Sequence, residues 1–299
     1  MNLKQTNNNY PKIASLFTGR ELYNVLIDER DSQLDLYLVR YINNEEYTEK
    51  TYYDLIQELY QKIYPHYPNE YYFKNILANK LYLKKSNSQY CAYLSEFPVG
   101  NSVADVMMVN HTSRVFEIKT ELDKPDRLKN QLADYRKLFE ELYVVTHDNL
   151  QEKYLKILPE EVGLYVVTNR SALKRVRKAK KNTALDLEVM IAFLRIPEME
   201  NIIRKTYNTL PEYKSIRKYR AYRLLLNLLP FDEFHKLWKE QVRQRMRSKN
   251  LEVLLDGTIP RELSHWYLTK IKTKKESEKL VSNLYKTVQK PEKSCTFHI

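Results

Sequence analysis

Residues 103–119 read VADVMMVNHTSRVFEIK, and the expected fold follows from this segment. Two apolar runs, Val103 to Asn110 and Val115 to Lys119, flank the short polar segment His111 to Ser113. Short runs of β-branched and apolar residues on either side of a polar segment are typical of two paired strands. The sequence therefore predicts an antiparallel hairpin whose loop is His111 to Ser113.

The charged residues of this hairpin are expected on one face. Side chains alternate along a strand, so Glu117 and Lys119 point the same way. With the loop at 111–113, the register places Asp105 opposite Lys119 and Met107 opposite Glu117. Asp105, Glu117 and Lys119 then share a face, an arrangement that a slip of one residue would destroy.

Two carboxylates side by side repel each other unless a positive group completes the cluster. Mg²⁺ prefers oxygen ligands, and a bound metal lowers the pKa of a water that can attack phosphorus. We expect Asp105 and Glu117 to bind such a metal, with the carbonyl of Ile118 as an extra ligand. Lys119 is expected to orient the attacking water and to stabilise the charge that develops on the phosphate.

Helical and strand-like patterns alternate around the hairpin. The predicted helices are Tyr52 to Tyr64, Glu70 to Lys84, a helix from an Asp123 N-cap through Leu142, and Asn149 to Leu158. The other predicted strands are Tyr90 to Leu94, Tyr143 to Thr146 and Leu164 to Thr168. Because strand, helix, strand order implies parallel crossovers, we predict a mixed α/β sheet flanked by helices.

After Asn169 the pattern becomes helical. The predicted helices here are Ala172 to Lys181, Leu185 to Leu194, Glu198 to Tyr207, Lys214 to Leu229 and Phe231 to Arg247. The sequence thus predicts three regions: a mainly helical N-terminal extension (1–69), an α/β core (70–169) and a basic helical C-terminal region (170–299).

The charge is distributed unevenly along the chain. The net charge of the 299 residues is +12, but residues 1–169 carry −4 and residues 170–299 carry +16. A strongly basic half favours a polyanionic partner such as nucleic acid, whereas a solubilising surface is the alternative interpretation. The candidate phosphate-binding residues of this half are Lys174, Arg175, Arg177, Lys178, Lys180, Lys181, Lys214, Arg217 and Lys218.

Several other classes of protein do not fit the sequence. The two cysteines, Cys91 and Cys295, form neither a disulfide framework nor a zinc-finger pattern. The longest apolar runs are far shorter than the roughly 20 residues that a membrane span needs, and the first residues lack an apolar leader. We therefore expect a cytoplasmic protein that does not enter a membrane.

The spacing of Asp105 and Glu117-Ile118-Lys119, on strands between two helices, resembles the PD-(D/E)XK nuclease superfamily. The resemblance covers roughly residues 71–181 and is strongest to a bacterial subgroup near MmcB-like DNA repair proteins. It departs from the motif at Ala104, where the superfamily name has proline.

The resemblance implies a restriction-endonuclease-like fold and further site residues. Glu96 stands where an acidic residue ahead of the Asp often joins the metal site. Gln131 and Tyr135 match a Gln-x-x-x-Tyr pattern that many members, notably exonuclease-like ones, carry on the following helix. Arg127, at the start of that helix, joins the nucleic-acid-binding candidates.

The expected function is a metal-dependent nuclease that uses Mg²⁺ or Mn²⁺ to hydrolyse DNA, in DNA repair or phage defence. A catalytically silent nucleic-acid-binding module on the same fold is the alternative, and a protein-interaction role is a third. DNA or RNA as substrate, internal or terminal cleavage, and a monomer or an oligomer all stay open.

Overall fold

The computed structural model divides the chain into two units. The described residues are 10–29, 50–64, 66–84, 91–121, 123, 125–212, 215–246 and 249–288. The first unit joins residues 1–79 to residues 248–299, and the second comprises residues 80–247. The two units divide the chain at other places than the predicted boundaries at 69 and 169, because residues 248–299 group with residues 1–79.

The first unit is helical in its described part. Its helices are α1 (Tyr10–Thr18), α2 (Glu21–Tyr23), α3 (Tyr52–Ile63), α4 (Glu70–Leu77), α11 (Glu252–Leu255), α12 (Ser264–Lys270) and α13 (Lys274–Leu284). Helix α3 confirms its predicted periodicity, since Leu55, Ile56 and Leu59 are buried. Thr51 caps it by accepting the Asp54 N–H.

Hydrogen bonds join the two chain segments of the first unit. The side-chain amide of Asn75 donates to the Arg261 carbonyl at 3.0 Å, and the Tyr71 hydroxyl donates to the Glu262 carbonyl at 2.8 Å. Asn75 Oδ1 also accepts the His265 N–H at 3.0 Å. These contacts lie about 190 residues apart in the chain, so local sequence patterns do not predict them.

The second unit contains a six-stranded mixed sheet. Its strands are β1 (Ala92–Val99), β2 (Ser102–Val109), β3 (Ser113–Lys119), β4 (Glu141–His147), β5 (Gly163–Val167) and β6 (Leu173–Arg177), in that spatial order. The pairs β1–β2, β2–β3 and β5–β6 are antiparallel, whereas β3–β4 and β4–β5 are parallel. The mixed α/β fold and its first five strands are thereby confirmed.

Strand β6 corrects one of the predicted helices. Residues 172–181 were expected to be helical, yet Leu173–Arg177 pairs with β5 at the sheet edge. Positively charged side chains are common on edge strands, because they discourage pairing with another chain. The ladder to β5 overrides the local helical pattern, as tertiary contacts commonly do for such short segments.

Two helices follow parallel strands and cover the sheet. Helix α5 (Leu128–Arg136) connects β3 to β4, and α6 (Gln151–Ile157) connects β4 to β5. Right-handed crossovers that advance in one direction place both helices on the same face. This face is the one to which the side chains of Glu117 and Lys119 point.

Helix α5 is shorter than predicted. It is preceded by a 3₁₀ turn (Pro125–Arg127) and ends at Arg136, so Leu142 belongs to β4 instead. Asp123 is not its N-cap: its carboxylate accepts the backbone N–H and the hydroxyl of Thr120, at 2.7 and 2.8 Å. Asp123 therefore closes the turn after β3, and the helix begins later.

The remaining helices of the second unit are α7 (Leu187–Phe193), α8 (Ile196–Tyr207), α9 (Ser215–Asn227) and α10 (Phe231–Gln244). Their existence confirms the helical prediction for this stretch, with ends shifted by a few residues. Helix α10 packs against β1 and β2. Trp238, fully buried, donates its indole N–H to the Met190 carbonyl at 3.0 Å and so ties α10 to α7. Across the described ranges, no helix has both the length and the apolar character needed to cross a bilayer.

Candidate functional site

The pairing of β2 with β3 determines which acidic residues meet. Val106 pairs with Phe116, and the same register continued by one residue places Asp105 opposite Glu117. The prediction that Asp105 pairs with Lys119 is therefore wrong by two positions. Because a shift of two preserves the alternation of side chains, all three charged residues still share one face.

The turn between these strands accounts for the shift. Strand β2 ends at Val109 and β3 begins at Ser113, so the turn is residues 110–112 and not 111–113. Asn110 accepts the Thr112 N–H on its side-chain oxygen at 3.0 Å. Asparagine favours such a turn because its short side chain can bond the backbone two residues ahead.

Glu117 lies at the centre of a buried hydrogen-bond network. Its side chain is 2% exposed, and Oε1 accepts from Lys119 Nζ at 2.7 Å and from Gln131 Nε2 at 2.6 Å. Oε2 accepts from the Tyr135 hydroxyl at 2.7 Å. Burial raises the pKa of Glu117, although the Lys119 ammonium and the two other donors act to lower it.

Gln131 connects the two charged groups of the network. Its amide nitrogen donates to Glu117, while its amide oxygen accepts from Lys119 Nζ at 3.0 Å. One side chain thus fixes the positions of a carboxylate and an ammonium. The Lys119 side chain is 7% exposed, and its backbone carbonyl accepts the hydroxyl of buried Thr146 at 2.7 Å.

Tyr135 holds helix α5 against β2 and Glu117. Its hydroxyl oxygen lies 2.8 Å from the Val103 carbonyl oxygen and 2.7 Å from Glu117 Oε2. The hydroxyl has one proton to share between these two acceptors. Burial, reinforced by the nearby Glu117, raises the pKa of Tyr135, so the phenol stays protonated and remains a donor at neutral pH.

Asp105 and Glu96 extend the group of carboxylates toward solvent. Asp105 Oδ2 accepts the Ile118 N–H at 2.6 Å, and Asp105 is only half-buried. Glu96 is exposed and has a left-handed backbone (φ 53°), which is uncommon for a residue other than glycine. Carboxylate oxygens of Glu96 and Asp105 lie within 4.8 Å of each other.

These residues provide the oxygen donors that a hard divalent cation prefers. The N–H and C=O groups of one residue in an extended strand point to the same side, so the Ile118 carbonyl is also directed toward β2. The donor set of Glu96, Asp105, Glu117 and the Ile118 carbonyl therefore fits the chemistry of Mg²⁺ or Mn²⁺.

Sequence patterns missed Asp134, which lies one helical turn after Gln131 and fixes α5 beside the site. Its Oδ2 accepts the Asn101 N–H at 3.2 Å and the Ser102 hydroxyl at 2.8 Å, which ties α5 to the β1–β2 turn. Gly100 in that turn has φ +60°, and a Cβ there would lie 2.7 Å from Asp134 Oδ1. The Gly100-Asn101 pair was the available signal, since this dipeptide is typical of a tight turn.

The predicted phosphate-binding residues fall into two groups. In the first group, the side chain is held by another residue of the protein. Arg177 donates to the carbonyls of Val162 and Pro159. Three lysines form ion pairs with glutamates: Lys180 with Glu160, Lys181 with Glu140 and Lys218 with Glu200. Arg127, Lys174, Arg175, Lys178 and Arg217 are exposed and form no ion pair with any described residue. Lys214 lies outside the described residues.

Residues 65–221, just over half of the chain, match the family model of Bacteriophage P4 protein cII. The chain belongs to the bacteriophage P4 protein cII family. The part that matches this cII family includes all six strands, α5 and every candidate site residue described above. No curated protein matches the chain. Among solved structures, it is similar to a protein of unknown function from Silicibacter pomeroyi, with 15% identity, 48% of this chain and 94% of that chain covered, and a TM-score of 0.31.

Proposed function

We propose that this protein is a metal-dependent nuclease that hydrolyses phosphodiester bonds of DNA. One observation carries the proposal: Glu117 and Lys119 bond each other and the α5 residues Gln131 and Tyr135, and Asp105 of β2 accepts the N–H of Ile118, which lies between them in β3. The family name refers to a phage protein without stating a chemistry, so the support comes from the site and from the resemblance in sequence.

Glu96, Asp105, Glu117 and the Ile118 carbonyl would hold the metal ion. A bound divalent ion would supply Lewis acidity and a water of lowered pKa. Glu117 has both carboxylate oxygens in hydrogen bonds, but a carboxylate has about four lone-pair sites and can accept a further ligand.

The protein's own residues orient the reacting groups. The Lys119 ammonium, held by Glu117 and Gln131, would donate to the scissile phosphate or to the attacking water. Tyr135 and Gln131 fix both oxygens of Glu117, so the carboxylate does not have to reorganise during the reaction.

A catalytically silent nucleic-acid-binding module is the second candidate, and one observation favours it. The side chains of Glu117 and Lys119 are 2% and 7% exposed, and they bond each other, Gln131 and Tyr135. A buried pair closed on itself can serve to specify the fold of the core. In that case, the exposed cations bind nucleic acid and the cluster only joins α5 to β3.

Cleavage assays with matched variants test the proposal. Linear duplex, circular duplex and single-stranded DNA are incubated with the protein and Mg²⁺, Mn²⁺ or EDTA. We expect metal-dependent cleavage that Asp105→Asn and Glu117→Gln abolish, and that Lys119→Met slows on the order of 10²-fold with little change in DNA affinity. Asp126→Asn is the control, because Asp126 is an exposed acid in the turn before α5.

The outcomes separate the two candidates. Cleavage that resists EDTA, or that survives in both acidic variants, would overturn the proposed site. DNA binding without cleavage under any metal would instead support the silent module. Cleavage of circular DNA would indicate an endonuclease, and cleavage of linear DNA alone would indicate an exonuclease.

A further inference from the structure

An open cleft adjoins the cluster on the side of Gln131. It has a volume of about 680 Å³ and lies between the β1–β2 turn and the first turns of α5. Its lining includes Asn101, Val103, Arg127, Asn130 and Gln131. Since Gln131 bonds both Glu117 and Lys119, whatever fills the cleft lies next to the proposed reaction centre.

The cleft combines three kinds of recognition group. Arg127 is exposed and has no ion pair with any residue the structure describes, so its guanidinium is available to a phosphate. Asn101 and Asn130, both exposed, offer amides that can donate and accept. Val103 is 49% exposed and supplies an apolar surface at the same place.

Among the described residues that line the cleft, Asp134 is the one acidic residue, and three hydrogen-bond donors hold it. Asp134 accepts from Asn101 N, from Ser102 Oγ and from Lys137 Nζ, and these hydrogen bonds hold the pKa of its carboxyl below the usual value against the effect of burial. Asp134 is therefore ionised, and the Lys137 ammonium offsets part of the negative charge that a phosphate in the cleft would meet.

The dimensions limit the ligand to a single strand. The volume lies within the roughly 300–1,000 Å³ typical of small-molecule sites. A duplex, which is wider than its roughly 12 Å major groove, does not enter a cleft of this volume. Amides that can read a base edge, an apolar surface for a base and a guanidinium for a phosphate together match an unpaired nucleotide.

We propose that this cleft binds an unpaired nucleotide of a single-stranded end or flap, next to the bond that is cut. The inference rests on the proposed nuclease function, because it names the substrate class of the same site. It implies that single-stranded and frayed substrates bind more tightly than blunt duplex.

Binding measured in EDTA tests the cleft without depending on cleavage. The probes are a labelled single-stranded oligonucleotide, a blunt duplex of the same length and a free mononucleotide, each titrated by fluorescence anisotropy at several salt concentrations. We expect Arg127→Ala and Asn130→Ala to weaken binding of the single strand about tenfold and binding of the duplex much less. Arg127→Ala should also reduce the slope of log K against log salt by about 0.7.

Lys129→Ala is the matched control, since Lys129 is an exposed cation of the same helix that does not line the cleft. The proposal that the cleft binds an unpaired nucleotide is overturned by either of two results. One is an equal loss of affinity in Lys129→Ala and Arg127→Ala, and the other is an equal loss for the single strand and the duplex. If the free mononucleotide binds more tightly than the single-stranded oligonucleotide, the assignment of the cleft to a strand end is overturned. If the cleft variants no longer bind the single strand while no form of the protein cleaves DNA, the cleft is supported and the nuclease proposal fails.

Discussion

At the scale of single residues, Glu117 is the group whose ionisation is most constrained. Burial raises its pKa, whereas Lys119, Tyr135 and Gln131 stabilise the charged form. A carboxyl with a raised pKa in the folded state binds its proton more tightly there than in the unfolded chain. The free energy of unfolding contributed by Glu117 therefore rises as the pH falls through its folded-state pKa, and is lost as the pH rises through it.

Replacing Tyr135 tests this balance. Tyr135→Phe removes a donor to the ionised carboxylate, so the pKa of Glu117 should rise further. If cleavage requires ionised Glu117, the acidic limb of the pH profile of kcat should move to higher pH, while the alkaline limb stays in place. The measurement is a pH series of single-turnover cleavage at saturating DNA.

A second tyrosine provides the control for that series. The hydroxyl of Tyr154 in α6 is buried without a hydrogen-bond partner in the described structure, so Tyr154→Phe removes the same atom without touching Glu117. The two profiles should differ. An acidic limb that stays fixed in Tyr135→Phe, or that moves equally in both variants, would contradict the assigned role of Tyr135.

At the scale of elements, the sequence predicted the strands better than their register. Short apolar runs and alternating polarity identified β1 to β5. The alternation of side chains along β2 and β3 was enough to place Asp105, Glu117 and Lys119 on one face. The register depends on the turn, which begins at Asn110 and not at the predicted His111 because the Asn110 side chain bonds the Thr112 N–H. The apolar pattern of the strands does not contain that information.

Strand β6 was missed because its pattern is not that of a buried strand. The sequence Leu-Lys-Arg-Val-Arg has too few apolar residues to indicate an inward face, and its strand form comes from pairing with β5. The consequence for function is substantial, since the basic run now lies along a sheet edge. Lys174 belongs to the same cross-strand row as Lys119, through Thr146 and Val166.

This edge allows the basic residues to be tested separately. Lys174, Arg175 and Lys178 are exposed and form no ion pair within the described part of the chain, so replacing all three by Gln should weaken DNA binding for every sequence alike. The slope of log K against log salt should fall by roughly 0.7 to 0.9 for each phosphate that the variant no longer neutralises. Equilibrium titrations over a salt series give both quantities.

Two controls accompany the triple variant. Replacing Lys272, Lys274 and Lys275 of the first unit by Gln makes the same change in net charge at exposed positions outside the unit that contains the sheet. Arg177→Gln should instead lower thermal stability, because Arg177 donates to backbone carbonyls after α6, and should leave the salt slope nearly unchanged. An unchanged slope in the β6 variant would show that the edge does not contact phosphates.

At the scale of the whole molecule, the units rearrange the charge that the linear sequence displays. Divided at residue 169, the chain has halves of −4 and +16, but the second unit (80–247) carries +11 and the first unit (1–79 with 248–299) carries +1. The excess positive charge thus belongs to the unit that contains the sheet, the cluster and the cleft. The sequence could not show this, because the return of the chain to its beginning depends on contacts such as that of Asn75 with Arg261.

This distribution predicts which part of the chain contacts DNA. Counterion release makes phosphate binding follow local positive charge, so contacts should concentrate in the second unit. Photo-crosslinking of the intact chain to DNA containing 5-bromouracil, followed by peptide mapping, should place most crosslinks within residues 80–247, including peptides that contain Arg127 and β6. High salt should abolish both the crosslinks and the binding of DNA. Crosslinks found mainly in residues 1–79 or 248–299 would contradict the assignment and place the DNA path on the helical unit, whose near-neutral charge gives no electrostatic reason for it.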